Sequence, residues 1–124
     1  MKGMNKVFLL GNLGKDPEVN VSKKGVVMSS FSVATNDYVK NERNEYESVP
    51  SWHNIKFFGS LAEVANKYLK KGSRVLIEGA INYNDFKKDE KSPKIRYTSI
   101  VGRGLTMIGK PQGAGAASDE DLPI

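Results

Sequence analysis

Residues 51–75 read Ser51-Trp52-His53-Asn54-Ile55-Lys56-Phe57-Phe58-Gly59-Ser60-Leu61-Ala62-Glu63-Val64-Ala65-Asn66-Lys67-Tyr68-Leu69-Lys70-Lys71-Gly72-Ser73-Arg74-Val75. The spacing of apolar positions changes from two to about 3.6 and back again. From Ser51 to Phe58 the alternation predicts a strand. His53, Ile55 and Phe57 share one face; Trp52, Asn54, Lys56 and Phe58 share the other. The first set is core material. The second mixes large aromatics with an amide and a cation, which suits neither a core nor a plain solvated face. Leu61, Val64, Ala65, Tyr68 and Leu69 then recur at helical spacing. Ser60 with Glu63 reads as a capping box, Lys70 and Lys71 complement the helix C-terminus, and Gly72 suits the C′ position. The chain returns to a strand at Arg74.

Outward from this unit the chain is strand on both sides. Val7-Phe8-Leu9-Leu10 is a four-residue apolar run, which fits a strand covered on both faces. If Phe8 and Leu10 face one way, Val7 and Leu9 face the other, and one pair needs cover from outside a small barrel, most simply another copy of the chain. A second strand is predicted from Val26 to Thr35, with Val27, Ser29, Phe31 and Val33 on one face. The charged, Asn-rich stretch from Asn36 to Pro50 reads as a long, exposed and mobile hairpin loop. The fourth strand runs from Arg74 to about Asn84, with Gly79 at a bend or bulge. Asp85 to Pro93 reads as a lysine-rich loop carrying Phe86. The fifth strand runs from near Lys94 to Ile108, kinked at Gly102-Arg103-Gly104. The expected fold is all-β with one helix: a five-stranded OB barrel in the order β-β-β-α-β-β, occupying residues 1–110. Residues 111–118 read as a short flexible linker, and 119–124 as an acidic tip, the whole tail being disordered.

Composition narrows the chemistry. The 124 residues contain no Cys and one His, so neither a disulfide scaffold nor a His/Cys zinc cluster can be built. No apolar run approaches the ~18 residues of a membrane span, and no signal peptide is evident; a cytoplasmic, nucleoid-associated protein is the expectation. Residues 1–110 hold all 19 Lys and Arg and 11 of the 14 acids, a net charge of +8, whereas residues 111–124 carry three acids and no base. A basic body suits a polyanionic partner. The carboxylates Asp16, Glu18, Asp37, Glu63, Asp85, Asp89 and Glu90 read as solvated loop or helix-surface charges, and His53 has no evident nucleophile beside it. Gly11-x-x-Gly14 lacks the ending of a phosphate loop. No catalytic residue, metal or cofactor is expected.

Binding asks less of a sequence. Single nucleic-acid strands are held by a cationic groove and aromatic platforms, because every base has a π-face. Trp52, Phe58, Tyr38 and Phe86 are the candidate platforms, and Lys6, Lys56, Lys71 and Arg96 the candidate cations.

Several motifs together resemble the bacterial single-stranded DNA-binding protein family. They are Asn5-Lys6-Val7 through Gly11-Asn12-Leu13-Gly14-x-Asp16-Pro17-Glu18, Trp52-His53-x-Ile55 with Phe58-Gly59, Leu61-Ala62-Glu63-Val64-Ala65 through Gly72-Ser73 to Ile77-Glu78-Gly79, and Arg96-Tyr97-Thr98. The tip Asp119-Glu120-Asp121-Leu122-Pro123-Ile124 is similar to the family's acidic C-terminus. The resemblance implies an OB-fold homotetramer that binds single-stranded DNA without catalysis. It also implies recruitment of replication, recombination and repair proteins through the tip. By position, Trp52, Phe58 and Phe86 match family stacking aromatics, Tyr38 matches another approximately, and His53 matches a residue at a subunit interface; the other interface candidates, Val7, Phe8, Leu9 and Leu10, come from their unbroken apolar run. Asn54, Ser60, Asn82, Asn84 and Asp85 stand where many members carry bases; Lys87, Lys88, Lys91 and Lys94 are the nearby cations that could offset them. Two other readings are an OB adaptor devoted to protein contact, which would need neither the stacking set nor the tip, and an OB-fold nuclease.

Overall fold

The computed structural model describes residues 1–109; the linker at 111–118 and the tip at 119–124 lie outside the described residues. The elements are β1 (Val7–Leu13), β2 (Glu18–Val21), β3 (Val27–Lys40), β4 (Tyr46–Phe58), α1 (Ser60–Tyr68), β5 (Arg74–Phe86) and β6 (Ile95–Gly109). The sheet order is β1-β5-β6-β4-β3-β2, and a further pairing of β1 with β3 closes it into a barrel. This is the expected OB arrangement, with the helix between the third and fourth long strands.

The alternating side chains face inward as the sequence implies. Leu9, Phe31, Val33, Ile55, Phe57 and Ile77 meet in one core, and Ala62, Ala65 and Leu69 bring the helix against it. Phe31 and Phe57 pack as tilted rings 5.8 Å apart. Phe57 fills its space only because Gly102 has no side chain, since a Cβ there would collide with the Phe57 ring. At Gly79 the β5–β6 register shifts, as expected of a bulge at a barrel corner.

Four local expectations are corrected. First, the five barrel strands are joined by a sixth outside the closure, because Glu18–Val21 pairs with Ser30 to Val27 as a short edge strand. Second, residues 36–50 are not a mobile loop. The β3–β4 ladder continues unbroken from Met28↔Phe58 to Lys40↔Tyr46. This ribbon stands clear of the barrel, so neither face is covered and the usual apolar–polar alternation is absent. Its turn is held by Asn41, whose Oδ1 accepts the N–H groups of Arg43 and Glu45, and by Asn44 at φ 66°, a left-handed conformation that Asn tolerates. Third, Phe86 ends β5 rather than lying in a loop. Fourth, the helix cap is Gly59, at φ 72°, with no side-chain capping bond; Gly59 takes a backbone conformation Ser60 would resist, which displaces the capping box. At the other end the C-cap is Leu69, so Gly72 lies beyond C′ and serves the following turn at φ 89°.

Candidate nucleic-acid interface

The outward face of β4 is one side of a continuous surface. Register sets Ser30, Ser32 and Ala34 of β3 beside Lys56, Asn54 and Trp52 of β4. On the other flank β6 runs parallel to β4 and is paired to β5, so that Asn82 faces Ser99, Asn84 faces Tyr97 and Phe86 faces Ile95. Between them runs a groove of about 330 Å³ lined by Ser30, Ser32, Asn54, Lys56, Asn84, Tyr97 and Thr98, with Lys15, Asp16 and Glu18 from the turn into β2. The Asp16 carboxylate accepts the Lys71 backbone N–H at 2.7 Å, which fixes that turn against the end of the helix.

Aromatic rings sit around the groove. Trp52 is 59% exposed, and its ring lies over Gly14, where any Cβ would strike it. A bare backbone thus serves as the seat of the only Trp. Phe86 and Tyr97 form an edge-on pair with centroids 6.2 Å apart. Phe58 is exposed at the far end of the β4 face, opposite Met28. Tyr38 falls on the same face of the β3–β4 ribbon as Trp52, because the ladder between them has no register shift, and so does Tyr46 opposite Lys40. Exposed flat rings beside amides, hydroxyls and a lysine can stack bases and hydrogen-bond their edges without requiring one sequence.

The structure sorts the sequence-derived residues into four places. Trp52, Phe58, Tyr38, Phe86 and Lys56 share the interface described. Lys6 does not line the groove: its ammonium is 2.7 Å from Glu78 and lies over the Phe8 ring, on the outer face of β1 and β5. Lys71 sits at the helix end, with its N–H bound to Asp16. Arg96 projects from the opposite face of β6 to Tyr97 and pairs with Asp85 at 3.2 Å. Sequence reasoning missed Tyr97 and Tyr46. The available signal for Tyr97 was its alternation with Arg96, which puts only one of the two on the face of Phe86.

The interface residues assigned from sequence divide in the same way. Leu9 is buried and Val7 packs against the core, whereas Phe8 and Leu10 are 62% and 48% exposed. Register brings Phe8 beside Glu78 and Leu10 beside Leu76, so the outward patch is Phe8, Leu10 and Leu76. His53 is half-buried on the inward face of β4, and its Nε2 is 2.9 Å from the Thr35 hydroxyl.

Comparison with known proteins agrees with this geometry. The profile of the single-strand binding protein family matches residues 4–108. A single-stranded DNA-binding protein of Xylella fastidiosa is 36% identical over 98% of this chain and 74% of its own length. One from Xanthomonas campestris is 36% identical over 87% of this chain and 62% of its own length. Among solved structures, the Plasmodium falciparum SSB in complex with ssDNA superposes with a TM-score of 0.79 at 27% identity, covering 88% of this chain and 98% of that one. The single-stranded DNA-binding protein of Thermus aquaticus, a deletion mutant, shares the fold with a TM-score of 0.73 at 24% identity, over 86% of this chain and 51% of that one. By its sequence profile and its barrel, the chain belongs to the single-strand binding protein family.

Proposed function

We propose that this protein binds single-stranded DNA with little regard to sequence and protects it during replication, recombination and repair. The observation that carries the reading is the groove beside β4, lined by amides, hydroxyls, Lys56 and Tyr97, with Phe86 edge-on to Tyr97 and Trp52 exposed on the same face of β4 as Asn54 and Lys56. The role is binding, not catalysis. Among the described residues no helix is long and apolar enough to cross a membrane. The proposed setting is the cytoplasm, on the nucleoid. The protein acts as a homotetramer that covers the Phe8, Leu10 and Leu76 patch, and the tip at 119–124 recruits partner enzymes.

Titration of the full chain with oligo(dT), read by Trp52 fluorescence, tests the binding. Quenching at saturation is expected; unchanged emission removes Trp52 from the DNA path. Log affinity should fall against log salt by about 0.7 for each phosphate neutralised. Asn54 and Asn82 lie on the groove face without charge, so Asn54→Arg or Asn82→Arg should each steepen the slope by about that amount. An unchanged slope would place both residues off the strand's path.

The tip joins three acids to Leu122, Pro123 and Ile124, a combination that suits an apolar pocket rimmed by cations. Three acids tethered to a body of net charge +8 would compete weakly with DNA for its cations. Deleting 119–124 should leave the fold and oligomer mass intact, tighten DNA binding slightly at low salt, and abolish capture of replication and repair enzymes. Equal capture by the truncated chain would assign that task elsewhere.

A further inference from the structure

The end of the β5–β6 hairpin is a two-stranded blade. β5 pairs with β1 only from Arg74 to Gly79, and β6 pairs with β4 only at Ile100 and Val101. Beyond them, residues 82–86 and 95–99 pair with each other, with no third strand on either edge among the described residues. Residues 83–86 and 95–98 are exposed, so both faces of the blade are open over that length. One face carries Phe86 and Tyr97 and belongs to the interface described. The other carries Tyr83 and Asp85 opposite Thr98 and Arg96, Thr98 also bordering the groove at the unpaired edge of β6. Tyr83 is 57% exposed, the Arg96 guanidinium lies 5.6 Å from its ring centroid, and the Arg96 Nε donates to Asp85 at 3.2 Å.

We propose that the Tyr83–Arg96 face of this blade is a second stacking station for the same DNA strand, entered when a phosphate displaces Asp85 from Arg96. The proposal rests on the DNA-binding reading above. An aromatic ring with a guanidinium over it offers a flat cationic surface on which a base stacks. The guanidinium is freed at little cost, because an exposed ion pair of this kind is weak. Its planar fork then suits a phosphate. Asp85 and Phe86 are adjacent residues on opposite faces, so a strand lying on Phe86 has only to turn round one β-strand to reach Tyr83. Residues 82–98 carry five cations against three acids, which favours a polyanion along that turn. Asp85 makes the station conditional, since DNA occupies it only by exchanging one anion for another.

The experiment is a titration of the full chain with oligo(dT) of about 5 and about 16 nucleotides, the ends of the usual range per OB fold, read by Trp52 fluorescence. Tyr83→Ala is expected to weaken the long oligonucleotide roughly tenfold and to leave the short one, reported at the groove, unchanged. Tyr83→Leu keeps the apolar bulk of the blade and should show the same loss, which separates stacking from unfolding. Asp85→Asn should tighten the long oligonucleotide and steepen its salt slope by about 0.7, one further phosphate. Photocrosslinking to an iodouracil oligonucleotide should map an adduct to Tyr83. The proposal is overturned if wild type quenches normally while Tyr83→Leu binds the long oligonucleotide as wild type does. It is equally overturned if Tyr83 variants change only the oligomer mass, which would make this face a subunit contact. Wild type failing to bind either oligonucleotide removes the underlying reading as well.

Discussion

Trp52→Ala should weaken binding of oligo(dT) by about 1–3 kcal/mol, the worth of one stacked base, and Phe86→Ala should do the same from the other flank of the groove. The effect at Trp52 has a second, structural route. The indole rests on Gly14, which offers no side chain to displace it. Gly14→Val retains the Trp yet pushes the ring off its seat, so it should cost affinity on a scale approaching that of Trp52→Ala. Gly14 donates its N–H to the Ser32 carbonyl at 3.0 Å, and Val can keep that bond; a thermal unfolding midpoint near that of wild type would show that the loss is one of position. Normal affinity in Gly14→Val would mean that the ring stacks equally well elsewhere.

Two substitutions in consecutive residues of β1 should fail in different ways. Leu9→Asp places a carboxylate among Leu13, Val33 and Ile77 in the core. An unpartnered buried charge costs about 3–5 kcal/mol, a large part of a total stability of roughly 5–15 kcal/mol, and loss of the cooperative fold by circular dichroism is expected. Phe8→Asp changes only the outward face. It should leave the barrel intact but remove one of the patch's large apolar side chains, each worth about 1.5–3 kcal/mol when buried. It also places an acid close to Glu78, which stands opposite in the register. A folded protein of lower mass in sedimentation velocity is expected, and Leu10→Asp should match it. A wild-type chain that sediments as a monomer at micromolar concentration would remove the assembly, and with it the meaning of the patch.

Much of this was readable before any coordinates. The helix could be placed because five apolar residues at helical spacing interrupt a period of two. The two faces of β4 were separable because strand side chains alternate strictly, and that separation assembled Trp52, Asn54, Lys56 and Phe58. The turn chemistry of Gly79 was legible because a missing side chain inside a strand has few uses. The β3–β4 ribbon was not legible. Its residues pair with each other in solvent, so neither face needs apolar side chains and the pattern resembles a loop.

Periodicity, charge and turn residues are local properties, and they determined the strands, the helix, the basic body and the aromatic composition of the interface. What they could not determine is which face of a strand meets which neighbour. Val7-Phe8-Leu9-Leu10 is apolar throughout, and only the closure of β1 onto β3 and β5 sends Val7 and Leu9 inward and leaves Phe8 and Leu10 outside. Lys6, Lys71 and Arg96 looked equivalent to Lys56 as cations. Pairing across the sheet put Lys56 in the groove, Lys6 against Glu78, and Arg96 beside Asp85 on the back of a blade. Those contacts join residues far apart in the chain, and a hydrogen-bonded register, which no single strand contains, decides them.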